Sequence, residues 1–165
     1  MSENEESAPS TPRELMNYIE NDYTKNNYLW TGNIHLPAFE SNCQFTDPTL
    51  SFTGLDTYVT NIKNLNPILK FVLGSSTYDN CKSQLLSIEL NESEKYVQTR
   101  WRMLGSLDGL FWKPTIDVVG RTKFWFRETQ VKDKSKPNAS KVFFYDESWE
   151  MSTTEALKQI LTPGN

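Results

Sequence analysis

From about residue 81 to residue 150 the side chains alternate with a period of two, and this restricts the fold more than any other part of the chain. Leu86, Ile88 and Leu90 alternate with Leu85, Ser87 and Glu89, and Val97, Thr99, Trp101 and Met103 with Gln98, Arg100 and Arg102. Thr122, Phe124 and Phe126 alternate with Arg121, Lys123 and Arg127, Trp125 being the exception. Phe143, Tyr145, Glu147 and Trp149 alternate with Phe144, Asp146, Ser148 and Glu150. A helix cannot keep such a set on one side, whereas successive strand residues point to opposite faces. Four long strands joined by Gly- or Pro-containing loops predict an antiparallel meander with one buried face.

The first half has the helical period instead. Thr11-Pro12-Arg13-Glu14 is a capping box with Pro at the first helical position, and Leu15, Tyr18, Ile19 and Asp22 follow at helical spacing. The first three make an apolar stripe. This helix is expected to fray near Asn26-Asn27, a short helix to cover 34–41, and two short strands to flank Asp47-Pro48 within 43–53. Thr53-Gly54-Leu55-Asp56 reads as another cap. Leu55, Tyr58, Val59, Ile62 and Leu65 then share one helix face, and Pro67 should end that helix. Ser152-Thr153-Thr154-Glu155 opens a last helix through about Leu161. Helices first and long strands after is the α+β order, with helices packed on one face of an antiparallel sheet. Residues 1–10, acidic and Pro/Ser-containing, read as a disordered lead-in, and residues 11–162 as a single domain.

Charge and composition remove several function classes. Lys and Arg number 17 against 21 Asp and Glu, a net charge of −4 without a basic cluster, so no nucleic-acid partner is expected. No stretch reaches the roughly 18 apolar residues of a membrane span. MSENEESAPSTPRE has neither the basic start and apolar core of a secretory signal nor the Arg-rich character of a transit peptide. The chain as given therefore reads as cytoplasmic, or as a mature form already trimmed, for example in a plastid. Cys43 and Cys81 fit small buried hydrophobes better than a disulfide framework or zinc site. No metal site and no cofactor are expected, and there is neither a Gly-rich phosphate loop nor a G-x-S-x-G nucleophile.

One acid stands out of place. Glu147 shares its strand face with Phe143, Tyr145 and Trp149, and a carboxylate there must be paired, hydrogen-bonded or protonated. It is either a general acid or base with a raised pKa, or a structural carboxylate held by a Tyr or Trp donor, the commoner case. Asp47, on the strand face of Phe45, is a second candidate, with an Asx-type cap of the Asp47-Pro48 turn as the equal alternative. Counting back from Thr122 places Ile116, Val118 and Gly120 inside and Asp117 outside, unless a bulge at Gly120 reverses the count. Lone His35 reads as a loop histidine. The stripe Arg100, Arg102, Arg121, Lys123 and Arg127 is expected to be absorbed by cross-strand partners such as Asp146 and Glu150.

Several runs together resemble one family. They are Phe45-Thr46-Asp47-Pro48, Ser51-Phe52-Thr53-Gly54-Leu55-Asp56-x-Tyr58, Trp101-Arg102-Met103, Gly120-Arg121-Thr122-Lys123-Phe124 and Glu147-Ser148-Trp149. The chain resembles, over about residues 13–161, a plant, algal and cyanobacterial family of unknown function in the nuclear transport factor 2-like (SnoaL-like) superfamily, some members of which carry a SOUL haem-binding domain. The resemblance implies a cone-shaped, curved antiparallel sheet of about five or six strands, with helices across its concave face enclosing an apolar cavity. Relatives include ketosteroid isomerase, scytalone dehydratase, limonene epoxide hydrolase and polyketide cyclases, alongside carriers and dimerisation modules, and fold does not decide among these.

Three functions are therefore weighed. The leading one is a small-ligand pocket walled by Phe45, Phe52, Tyr58, Trp101, Met103, Phe124, Tyr145 and Trp149, for an isoprenoid, steroid-like or polyketide-like molecule. The second is an isomerase, cyclase, dehydratase or hydrolase on that pocket, with Asp47 and Glu147 as acid–base groups and Tyr58 as hydrogen-bond donor. The third is a homodimer or partner module using the convex sheet face around Trp125.

Overall fold

The computed structural model describes residues 8–74 and 78–164. Of the lead-in expected over 1–10, residues 1–7 lie outside the described residues. Pro9 is buried, and its carbonyl accepts from Ser140 N at 2.8 Å, so tertiary contact precedes the first helix. Helix α1 (Pro12–Thr24) starts where Thr11 Oγ1 accepts from Glu14 N at 3.1 Å. The return arm differs from the expected box: Ser10 N and Ser10 Oγ donate to Glu14 at 2.8 and 2.7 Å. A single turn, α2 (Tyr28–Thr31), follows.

The helix expected over 34–41 does not form. A 3-10 turn at Leu36–Ala38 leads directly into strand β1 (Phe39–Thr46), because Phe39, Cys43 and Phe45 find buried positions on a sheet. Strand β2 (Ser51–Thr53) pairs back on β1, and helix α3 (Leu55–Leu73) follows. Its N-cap is Gly54 at φ +104°, without a side-chain cap, so Thr53 does not play the expected role. Nor does Pro67 end the helix. Proline deprives the Lys63 carbonyl of its helical donor, but both residues are exposed and water can take its place.

Strands β3 (Lys82–Asn91), β4 (Tyr96–Ser106), β5 (Thr115–Thr129) and β6 (Ala139–Trp149) form the predicted antiparallel meander. The complete sheet has six strands in the order β2-β1-β6-β5-β4-β3, and it is mixed, since β1 runs parallel to β6. Alternation tells which face a residue occupies, not which neighbour its strand selects. Helix α4 (Thr153–Leu161) carries the full capping box between Ser152 and Glu155. Beyond the end of β6, the Gln159 amide takes over the role of a strand: it accepts from Asp117 N and donates to Asp117 O, at 2.9 and 2.8 Å.

Two bulges correct the expected faces. Between Leu85 and Ser87 the register slips, so Leu85 packs inward with Ile88 and Leu90 while Leu86 is 45% exposed. Between Trp125 and Phe126 it slips again, opposite Phe143. Val142 takes the buried position and Phe143 carries the Arg127 guanidinium 4.6 Å above its ring. One extra residue reverses parity for everything beyond it.

The inner face packs Val97, Trp101, Phe124 and Val142 into one core with Leu15, Ile19 and Tyr23 of α1, and both free cysteines are buried in it. The outer face carries ions instead. Arg100 and Arg121 reach Glu150 at 2.7 and 3.3 Å, and Arg102 reaches Asp117 at 2.7 Å, so Asp117 points outward. Glu150, Asp117 and Glu40 take up the four arginines of the stripe; of the two acids expected there only Glu150 does so, and Lys123 lies over the Tyr96 and Trp125 rings instead of pairing with Asp146.

Candidate functional site

Strand alternation, a glycine on the inner face and the helices above it together make the site. Gly120 of β5 faces Trp101 of β4 across the inner surface, and a Cβ there would run into both the indole and the Ser148 carbonyl. The absent side chain lets Trp101 lie flat, with its Nε1 satisfied by Thr122 Oγ1 at 2.9 Å. Above that indole, α2, α3 and α4 enclose a cavity of about 410 Å³ with the sheet, within the roughly 300–1,000 Å³ range of small-molecule sites. Met103, Ile116, Val118 and Trp149 line its sheet side, Phe45 and Phe52 its β1–β2 wall, and Tyr58, Ile62, Leu65 and Leu69 its α3 wall. The α4 side is Ala156, Leu157 and Ile160.

Of the aromatic residues expected to line this space, Phe124 does not. It is 2% exposed and lies behind Tyr145, whose ring meets it edge-on at 5.2 Å, because the wall there is two aromatic layers deep. The other layer is a stack: Phe45 lies 5.0 Å from Tyr58, 5.2 Å from Phe52 and 5.5 Å from Tyr145.

The polar groups converge at one end. Glu147 Oε1 accepts from the Tyr145 hydroxyl at 2.6 Å and Oε2 from Trp149 Nε1 at 3.1 Å, so both a Tyr and a Trp donor hold it. Burial pushes its carboxyl up to about 7, outweighing those two hydrogen bonds, and the charge of Asp47 adds to the rise. From Tyr145 a file of hydroxyls runs into the core. Tyr145 meets Tyr28 at 3.1 Å, Tyr28 donates to Tyr23 at 2.9 Å, and Tyr23 meets Thr99 Oγ1 at 2.7 Å. Burial raises the pKa of all three tyrosines above the ordinary phenol value.

The two other expected polar residues have local duties. Asp47 Oδ1 accepts from Thr49 N, Thr49 Oγ1 and Leu50 N at 2.7, 2.6 and 2.9 Å, the Asx cap of its turn. Among the described residues its Oδ2 takes no hydrogen bond, and Asp47 lines the cavity. Tyr58 spends its single proton on Gly32 O at 2.7 Å, so its hydroxyl cannot donate to a ligand. The tyrosine beside the acid is Tyr145, two residues along the same strand face.

Asp22 is a further buried acid that the strand pattern does not reveal. It is 3% exposed and accepts from His35 N with both oxygens at 3.1 Å and from Asn26 Nδ2 at 2.9 Å, and burial pushes it up to about 7. The signal was its helical spacing from Tyr18 and Ile19, which places a carboxyl on the apolar stripe. It does not line the cavity, and its hydrogen bonds tie α1 to the 3-10 turn. Among the described residues no group of His, Cys, Asp and Glu could hold a metal ion.

Comparison with known proteins agrees with this geometry at the level of fold. A structure from Xanthomonas campestris pv. campestris, proposed to be a polyketide cyclase, superposes with a TM-score of 0.55 at 14% identity, over 91% of this chain and 99% of that one. A second proposed polyketide cyclase, from Pseudomonas putida, has a TM-score of 0.56 at 11% identity, over 90% and 97%. An LEH-like epoxide hydrolase from M. tuberculosis has a TM-score of 0.51 at 10% identity, over 90% of each chain. The chain shares with these structures the nuclear transport factor 2-like fold. No curated protein matches the chain. One described family, "Uncharacterized conserved protein (DUF2358)", matches residues 13–131, well over half of the sequence, and the chain belongs to it.

Proposed function

We propose that the chain binds a small, largely apolar molecule bearing one oxygen function, with that function directed at Glu147. The observation that carries this reading is the cavity itself: about 410 Å³ walled by aliphatic and aromatic side chains, with its carboxyl groups gathered at Glu147 and Asp47. A molecule of isoprenoid, steroid-like or polyketide-like character suits both features, since burial of its skeleton supplies affinity and a single polar contact fixes its orientation.

The test is calorimetric titration with an isoprenoid alcohol, a steroid ketone and a phenolic polyketide, on the wild type and on Met103→Trp, which fills the cavity. At least one probe should bind the wild type, and the variant should lose that binding by ~10-fold or more. Equal affinity in the two proteins would overturn the reading.

A count of protons favours a second reading on the same site, acid–base catalysis. Tyr28 donates to Tyr23, and Tyr145 donates to Glu147 when the carboxyl is ionised. No proton then remains for the Tyr28–Tyr145 contact, the longest of the file at 3.1 Å. A proton on Glu147 Oε1 reverses the first link: Glu147 donates to Tyr145, Tyr145 to Tyr28, and every contact is filled, with Trp149 still donating to Oε2. A carboxyl kept neutral in this way holds its proton toward Tyr145, and a ligand oxygen that took the place of that hydroxyl would receive it, which is the task of a general acid. Any turnover of a bound probe should then fall by ~100-fold or more in Glu147→Gln while affinity stays within a few-fold.

A further inference from the structure

The wall of the cavity does not end at a polar rim. Leu65 and Leu157 line the cavity and yet are 47% and 54% exposed, so its apolar surface continues outward on α3 and α4. On α3, Leu65, Ile68 and Phe71 follow at i, i+3 and i+6, a stripe beside the one that faces the cavity, and Ile68 and Phe71 are 58% and 71% exposed. Phe111 and Leu161, 92% and 78% exposed, extend the patch.

Hydrogen bonds hold these pieces together as one surface. Gly109 N donates to Val72 O at 2.9 Å, joining the Phe111 loop to the end of α3. Trp112 Nε1 donates to Ile160 O at 2.7 Å, and Gly164 N to Trp112 O at 3.0 Å, joining the same loop to the end of α4. Three exposed lysines fringe the patch: Lys70 beside Phe71, Lys113 beside the Phe111–Trp112 pair, and Lys158 beside Leu157. Asp108, the acid of that loop, is held ionised by Ser106 and Asn80 and so offsets part of the charge of Lys113. Three lysines against Asp108 and Glu155 leave the fringe with a net positive charge in a chain whose net charge is −4.

We propose that this surface docks on an anionic lipid bilayer, so that the cavity mouth opens onto the membrane and its apolar ligand passes between bilayer and protein without crossing water. The proposal rests on the apolar-ligand reading of the cavity. Exposed Phe and Leu side chains enter the acyl boundary, the half-buried Trp112 lies at headgroup depth, and lysines meet the lipid phosphates. The lysine fringe favours an anionic bilayer, which offers phosphate to every lysine, over a second copy of the chain, whose surface carries the same positive excess.

The experiment is flotation of the whole chain with phosphatidylcholine vesicles, with and without about one-third phosphatidylglycerol. The wild type should float with the anionic vesicles, several-fold less with the neutral ones, and less as salt is raised. Phe71→Ser combined with Phe111→Ser should lower flotation by ~10-fold, and Lys70→Glu combined with Lys113→Glu by a few-fold, with unchanged circular dichroism. Met103→Trp should float like the wild type, which separates docking from ligand uptake. Ligand binding in solution without flotation would overturn the docking alone. Flotation that is indifferent to both double variants would also overturn it. So would a concentration-dependent dimer in sedimentation that the Phe double variant abolishes, because the patch would then belong to a second copy.

Discussion

Glu147 and Glu150 sit three residues apart at the end of one strand, yet they behave as different chemical groups. Glu147 faces inward, where its donors are the neutral Tyr145 and Trp149, and burial carries its carboxyl up to about 7. Glu150 faces outward, where hydrogen bonds from Arg100 and Arg121 hold its carboxyl down to about 2. A neutral donor satisfies a lone pair without compensating a charge, whereas a guanidinium does both. The two faces of this sheet are therefore two electrostatic environments, and alternation along the strand chooses between them.

The sharpest way to break that contrast uses neighbours on one strand. Trp101→Ala on the inner face should cost about 3–5 kcal/mol in chemical denaturation, as a buried large-to-small change. Arg100→Ala on the outer face should cost only a small fraction of that, since its ion pair is exposed to water. Equal losses would mean that the faces are not energetically distinct.

Next comes the pH dependence of stability. The folded state holds the Glu147 proton up to about 7, whereas its ordinary value is 4.5. Between these pH values the unfolded chain has released a proton that the folded chain keeps, so stability falls as pH rises through that window. The loss amounts to about 3 kcal/mol at most. Glu147→Gln should remove that share of the slope, and Asp22→Asn should remove a parallel share, as read from denaturation midpoints across pH. Slopes unchanged in both variants would place these carboxyls in water. Glu150→Gln should act with the opposite sign: its contribution is present above 4.5, is lost as pH falls toward about 2, and weakens with salt.

Asp47 gives a smaller effect. Asp47→Ala should cost about 1 kcal/mol through loss of the turn cap, while Asp47→Asn, which keeps an accepting Oδ1, should cost only a few tenths. If Asn preserves stability but alters ligand affinity, the carboxylate acts in the cavity as well as in the turn.

Much of the site was legible before any coordinates. Glu147 stands out because one charge among aromatics breaks a period-two pattern, and Trp101, Met103, Tyr145 and Trp149 follow from the same parity, while Phe45 and Phe52 belong to the runs that carry the family resemblance. Phe124 obeys the parity and still fails to reach the cavity, since parity distinguishes inside from outside but not the first layer from the second. The enzyme reading of the pocket makes Tyr58 a hydrogen-bond donor to the ligand. Its proton goes to Gly32 O, a backbone group 26 residues earlier that no local pattern points to.

The sequence by itself determined the quantities that depend on near neighbours: the caps at Thr11 and Ser152, the strand periods, and the division between aromatic and charged faces. These follow from rotation per residue and from side-chain atoms within a few positions. Tertiary structure alone decided which strand β1 would join, where bulges would reverse parity at Leu86 and Phe143, and which hydroxyls would line up behind Glu147. That file takes Tyr23 from α1, Tyr28 from α2 and Tyr145 from β6, with 117 residues separating its last pair. Contacts of that span arise from packing among distant elements, and only the folded chain brings their partners within hydrogen-bonding distance.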